Sequence, residues 1–132
     1  MRMIITSTEL RNGDTYAACS TAIGNICGKW CGKKPPIAGK TYFFELGIDE
    51  LDRNDISIID DRQFRPSVRL DDNFVHFEGI CENADDIYVI RFCDDWIEMI
   101  SIKNDDFTIC RGDNIAFSLS CDRIGIFPYE CF

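Results

Sequence analysis

From Ser67 to Phe127 the chain alternates short apolar runs with acidic turns. The runs are Ser67–Leu70, Phe74–Cys81, Ile87–Phe92, Trp96–Ile102, Phe107–Cys110, Ile115–Cys121 and Ile124–Phe127, bounded by Asp, Asn and Gly. Such runs at roughly 8–12-residue spacing predict antiparallel strands. Within them the period is two: Ile115, Phe117, Leu119 and Cys121 share one face, which reads as a stripe facing a core. Lys40–Ile48 alternates as well, with Tyr42, Phe44, Leu46 and Ile48 opposite Phe43, Glu45 and Gly47. Met3–Thr6 predicts a first strand. Asn12-Gly13 predicts a hairpin into Thr15–Cys19, because both residues tolerate positive φ. Asp49–Asn54 reads as a loop or one helical turn capped by Asp49, and Asp55–Ile59 as a short strand.

One stretch breaks the pattern. Glycines and the pair Pro35-Pro36 between Ser20 and Gly39 argue against a sustained helix or central strand. A long loop is expected there, of a kind uncommon in compact domains unless it binds something or is disordered. It carries Trp30, Lys29, Lys33 and Lys34, with Lys40 just beyond. The expected architecture is all-β, one domain over residues 1–132. It is an antiparallel barrel or sandwich of about 8–10 short strands, with residues 20–39 as an irregular loop near the N-terminus.

Composition narrows the function. A chain of 132 residues, 45% of them apolar, can bury one core. No apolar run approaches the roughly 18–20 residues of a membrane span. The opening residues lack the apolar stretch of about 7–15 of a secretory leader, so a cytosolic protein is expected. Eight cysteines would suit a disulfide framework in a secreted chain. With no leader, and with Cys81, Cys93, Cys110 and Cys121 in strand-like runs, most are expected to be reduced and to pack as small apolar groups. The net charge of −9 argues against direct nucleic-acid binding and anionic membranes, and for a basic partner.

Catalytic chemistry finds little footing. His76 is the one histidine, and alternation puts it with Phe74 and Glu78 on the solvent side of its strand. No nucleophile elbow, phosphate-cradling loop or paired-histidine metal motif occurs, so no enzyme and no cofactor are expected. Cys19, Cys27 and Cys31 could supply three thiolates to zinc, but a fourth ligand would have to come from afar. No acidic run has the spacing of the roughly twelve-residue calcium loop.

The paired aspartates carry the most weight: Asp60-Asp61, Asp71-Asp72, Asp85-Asp86, Asp94-Asp95 and Asp105-Asp106. Turn chemistry explains one Asp per turn; two adjacent ones repel each other. Successive antiparallel turns alternate between the ends of a domain. Asp71, Asp72, Asp94, Asp95 and Asp113 are therefore expected at one end, and Asp60, Asp61, Glu82, Asp85, Asp86, Asp105, Asp106 and Asp122 at the other. The expected partner-binding set is Asp60, Asp61, Asp85, Asp86, Asp105 and Asp106, with Trp96 or Trp30 as an aromatic anchor.

Two resemblances bear on this. The run Gly39-Lys40-Thr41-Tyr42-Phe43-Phe44-Glu45-Leu46-Gly47-Ile48-Asp49 and the Asp-rich turns after it resemble the small acidic immunity proteins of bacterial toxin–immunity pairs. That likeness implies a cytosolic, non-catalytic inhibitor of a cognate toxin, often a basic nuclease, and it carries no functional residue over by position. Arg111–Ser120 followed by Ile124–Phe127 is similar to the closing strands of small oligonucleotide/oligosaccharide-binding-type barrels appended to transporter ATPases. That likeness implies the alternative, a small-ligand or metal-binding barrel with the Cys19/Cys27/Cys31 loop as its site or lid.

Overall fold

The computed structural model describes residues 1–84 and 87–129. Its first three strands form a meander: β1 (Arg2–Arg11), β2 (Asp14–Thr21) and β3 (Gly24–Trp30). Asn12 and Gly13 join β1 to β2 with φ of 49° and 87°, the two positive values that a two-residue hairpin loop requires. The next strand, β4 (Thr41–Ile48), returns along β1. The last, β13 (Ile124–Tyr129), enters between β3 and β4, parallel to β3 and antiparallel to β4. The order β1-β2-β3-β13-β4 closes on itself as a five-stranded barrel.

Residues 49–123 leave the barrel after β4 and return to it at β13. They contain β5 (Leu51–Asp52), β6 (Ser57–Ile58), β7 (Ser67–Asp71), β8 (Phe74–Ala84), β9 (Tyr88–Cys93), β10 (Trp96–Ile100), β11 (Ile102–Lys103) and β12 (Asn114–Ser120). Most of these form a second sheet in the order β10-β9-β8-β12-β6, with β7 also on β8. The pair β5 and β11 runs parallel beside it.

Buried side chains of both sheets make one cluster. An aromatic chain crosses it: Phe44 of the barrel meets Trp96 edge-on with centroids 5.3 Å apart, and Phe92, Phe77 and Phe117 continue at 5.2, 5.5 and 5.1 Å. The expected stripes hold: Tyr42, Phe44 and Leu46 are buried, as are Ile115, Phe117, Leu119 and Cys121.

Three expectations are corrected. Residues 20–39 are not one irregular loop, because β2 runs on to Thr21 and residues 24–30 form β3, leaving the irregular part after Trp30. The glycines there serve close approach: a Cβ on Gly24 would sit 1.8 Å from the Val68 carbonyl oxygen, and one on Gly28 would sit 2.7 Å from that of Ile124. Phe107–Cys110 is not a strand; Ile109 is buried, but Phe107 takes φ of 60° in a loop. The helical turn expected within Asp49–Asn54 is a 3-10 turn over Arg53–Asp55 capped by Asp52 rather than Asp49, and the strand expected over Asp55–Ile59 shortens to the two-residue β6.

Removing the strand at 107–110 shifts the parity of the turns after it. Asp113 therefore joins the Ala84 end of the second sheet, where its carbonyl accepts from Cys81 N–H at 2.8 Å. Asp122 joins the opposite end, next to Cys121, whose N–H bonds the Asn73 carbonyl at 2.9 Å. The two aspartates thus exchange the ends expected for them.

Candidate partner interface

At the Ala84 end, two short segments hold each other through polar side chains. Asp105 accepts from the Phe107 N–H at 2.9 Å and from the Tyr88 hydroxyl. Burial and that carboxylate push Tyr88 up to about 12. Asp106 accepts from Thr108 N–H at 3.2 Å and from its hydroxyl at 2.7 Å. Arg53 Nε lies 3.3 Å from the same carboxylate oxygen. The Thr108 bonds, then Arg53, hold Asp106 below its usual range. The Arg53 guanidinium also donates to Thr108 Oγ1 and to the Ile56 carbonyl. Asp52 accepts from Asn54 N–H at 3.0 Å and from the Asn104 amide at 2.8 Å. Asp105 and Asp106 are therefore braces of the 104–108 loop as well as charges.

Asp60 and Asp61 follow Ile59, whose N–H bonds the Asn114 carbonyl at 2.8 Å, so they lie at this same end. Both are exposed. Asp61 caps its own turn, accepting from Gln63 N–H at 2.9 Å. Asp85 and Asp86 lie outside the described residues.

Trp96 is not a surface anchor. It is 2% exposed, and its indole N–H donates to Glu98 at 2.9 Å. Alternation along β10 turns Trp96, Glu98 and Ile100 inward and leaves Ile97 and Met99 outside. Trp30 is half-buried against the barrel, edge-on to Tyr42 at 5.0 Å, with its indole N–H on the Lys34 carbonyl at 2.6 Å. The loop after β3 thus folds back over Trp30. Lys33, Lys34 and Lys40 remain exposed.

Two residues escaped the sequence reading. Glu98 is the one buried charged side chain among the described residues, and its burial pushes the carboxyl up to about 7. The period of β10 already placed it inward beside Trp96. Phe107 was hidden by its assignment to a strand.

The cysteines are free thiols among the described residues. Cys19 and Cys27 are buried on adjacent strands, whereas Cys31 lies beyond β3 and is exposed. Burial pushes Cys19 up to about 12. The neighbouring Cys27 thiol together with burial pushes Cys121 up. Among the described residues no group of three or more His, Cys, Asp or Glu side chains is placed to hold a metal. The Cys19/Cys27/Cys31 set is not assembled.

His76 sits on the outer face of β8, as alternation required. Its Nδ1 meets the Ser118 hydroxyl, and its Nε2 is 3.6 Å from Asp71. Serine, histidine and carboxylate are thus in sequence on an open sheet face, but acyl transfer also needs a cleft and oxyanion donors. Neither of two open depressions on the surface includes these residues. One, of about 380 Å³, is lined by Lys29, Cys31, Gly47, Arg123 and Phe127. The other, of about 610 Å³, surrounds Met1, Arg2, Thr41 and Asp95. Both are wide open, unlike the enclosed, mostly apolar pockets that hold small ligands.

No protein-family model, curated protein or solved structure matches the chain. No helix among the described residues is long and apolar enough to cross a membrane.

Proposed function

We propose that the protein is a cytosolic, non-catalytic binding protein that neutralises a basic protein, most concretely a cognate toxin with a nucleic-acid-cleaving domain. The observation that carries this reading is a net charge of −9 with five aspartate pairs along the chain of an all-β protein. Asp60, Asp61, Asp71, Asp72, Asp94, Asp95 and Asp106 are all exposed. A negative surface of this kind speeds association with a cationic protein and disfavours neutral or anionic ones. Exposed ion pairs add little affinity by themselves, so tight binding needs a desolvated apolar contact as well.

The resemblance to immunity proteins points the same way and adds the partner class. Inhibition would follow from covering a cationic cleft that otherwise binds phosphates. The candidate carboxylates for the contact are Asp60, Asp61, Asp85, Asp86, Asp105 and Asp106, of which Asp61, Asp105 and Asp106 also hold their own turns. The test is a pull-down with the purified protein from a lysate of its source cell. Recovery of a basic protein whose nuclease activity falls on adding the chain back supports the reading. Recovery of acidic or neutral proteins alone contradicts it.

A further inference from the structure

Phe107 is the most exposed large apolar side chain among the described residues, at 82%. A lone apolar side chain in water is ordinary; the way this one is held is not. Its φ is 60°, a region that bulky side chains rarely adopt, and Asn104 three residues earlier is at 56°. The loop is kept in that shape from both sides. Asp105 takes the Phe107 N–H, Asp106 and Arg53 clamp Thr108, and Asn104 is tied to Asp52. Backbone strain that the surroundings over-determine concentrates at binding loops and clamps. Here its effect is to fix the backbone that presents an exposed aromatic ring.

We propose that Phe107 is the anchor of the partner contact, entering an apolar pocket whose mouth is ringed by lysine and arginine on a basic protein. The inference rests on the functional reading above and adds to it the residue that supplies tight binding. Interface hot spots are commonly aromatic, desolvated at the centre and ringed by polar groups. A loop backbone held in place before binding loses little freedom on docking. The two segments that hold it bear Asp52, Asp55, Asp105 and Asp106 against Arg53 and Lys103, four carboxylates to two cations. That rim complements a cationic mouth and would oppose a second copy of this chain.

The experiment uses the full chain and a basic protein recovered from the source lysate, identified by mass spectrometry and then purified. Phe107→Asn removes the ring while keeping a residue that tolerates positive φ, and Phe107→Tyr restores an aromatic. We expect Phe107→Asn to raise the dissociation rate about tenfold or more, with the association rate within about twofold and the unfolding midpoint not lowered. Phe107→Tyr should bind like the parent. A dissociation rate that Phe107→Asn leaves unchanged overturns the anchor assignment while leaving the functional reading intact. Recovery of no basic protein overturns both. A dimer seen by sedimentation velocity and dissolved by Phe107→Asn, with partner dissociation unaffected, assigns the ring to self-association and overturns the proposal.

Discussion

Glu98 in β10 accepts a hydrogen bond from the backbone N–H of Leu46 in β4 at 3.2 Å, so a side chain of the second sheet completes the ladder of a barrel strand. Two residues earlier, Phe44 N–H bonds the Met1 carbonyl, where β1 begins.

This arrangement makes stability depend on pH in an unusual direction. Burial raises the Glu98 carboxyl from 4.5 to about 7, partly offset by the bonds from Trp96 and Leu46, with Glu45 and the N-terminal ammonium acting at longer range. Between those values the unfolded chain has lost a proton that the folded chain keeps, so stability falls as pH rises and levels off above about 7. The contribution is about 3 kcal/mol at most. Asp52, Glu82, Asp95 and Asp106 are shifted the opposite way and act at lower pH. Urea unfolding at pH 5, 6, 7 and 8 should show this decline in the parent and a flatter profile in Glu98→Gln. Parallel profiles would mean that the carboxyl ionises normally.

The β3 glycines yield a second prediction. Gly24 combines φ of 145° with the Val68 carbonyl oxygen 1.8 Å from any added Cβ, whereas Gly13, at φ of 87°, has open space around it. Gly24→Ala should therefore cost about 3 kcal/mol, and Gly13→Ala about 1 kcal/mol. Equal costs by chemical denaturation would refute the close approach of β3 and β7.

The cysteines sort by access. Among the described cysteines, an aromatic disulfide reagent added to native protein should modify Cys31 and Cys110 first, as mapped by peptide mass spectrometry. Cys19, Cys27, Cys81 and Cys121 should react only on unfolding. Chelators should leave the unfolding midpoint unchanged, and a lowered midpoint would revive a thiolate metal site.

Much of the fold was legible from local pattern. Period-two alternation identified β4 and the Ile115-Phe117-Leu119-Cys121 face, and Asn12-Gly13 marked the first hairpin, because those signals depend on neighbouring residues alone. Gly24 and Gly28 misled, since their role is to admit Val68 and Ile124 from distant strands, a reason that no local reading contains. Ile109 looked like part of a strand because it is buried, yet the backbone around it is shaped by Asp105, Asp106 and Asp113. That single false strand sent Asp113 and Asp122 to the wrong ends. For the site, residue type alone makes Trp96 an anchor, whereas its alternation with Glu98 and Ile100 turns it inward.

The charge reading gives a prediction separate from the anchor. Converting Asp60, Asp61, Asp85 and Asp86 together to Asn should slow association with the basic protein at least several-fold, on the order of 3- to 10-fold, with dissociation little affected. Stability should change little at the exposed Asp60. An unchanged association rate would move the contact to another face.

The most direct test of the central claim is the association rate of the purified protein with its basic partner, measured by stopped flow from low to high salt. If the aspartate pairs guide docking, the rate falls by about tenfold or more as the Debye length shrinks from roughly 30 Å at 0.01 M to roughly 3 Å at 1 M. A rate that is flat across that range contradicts the account.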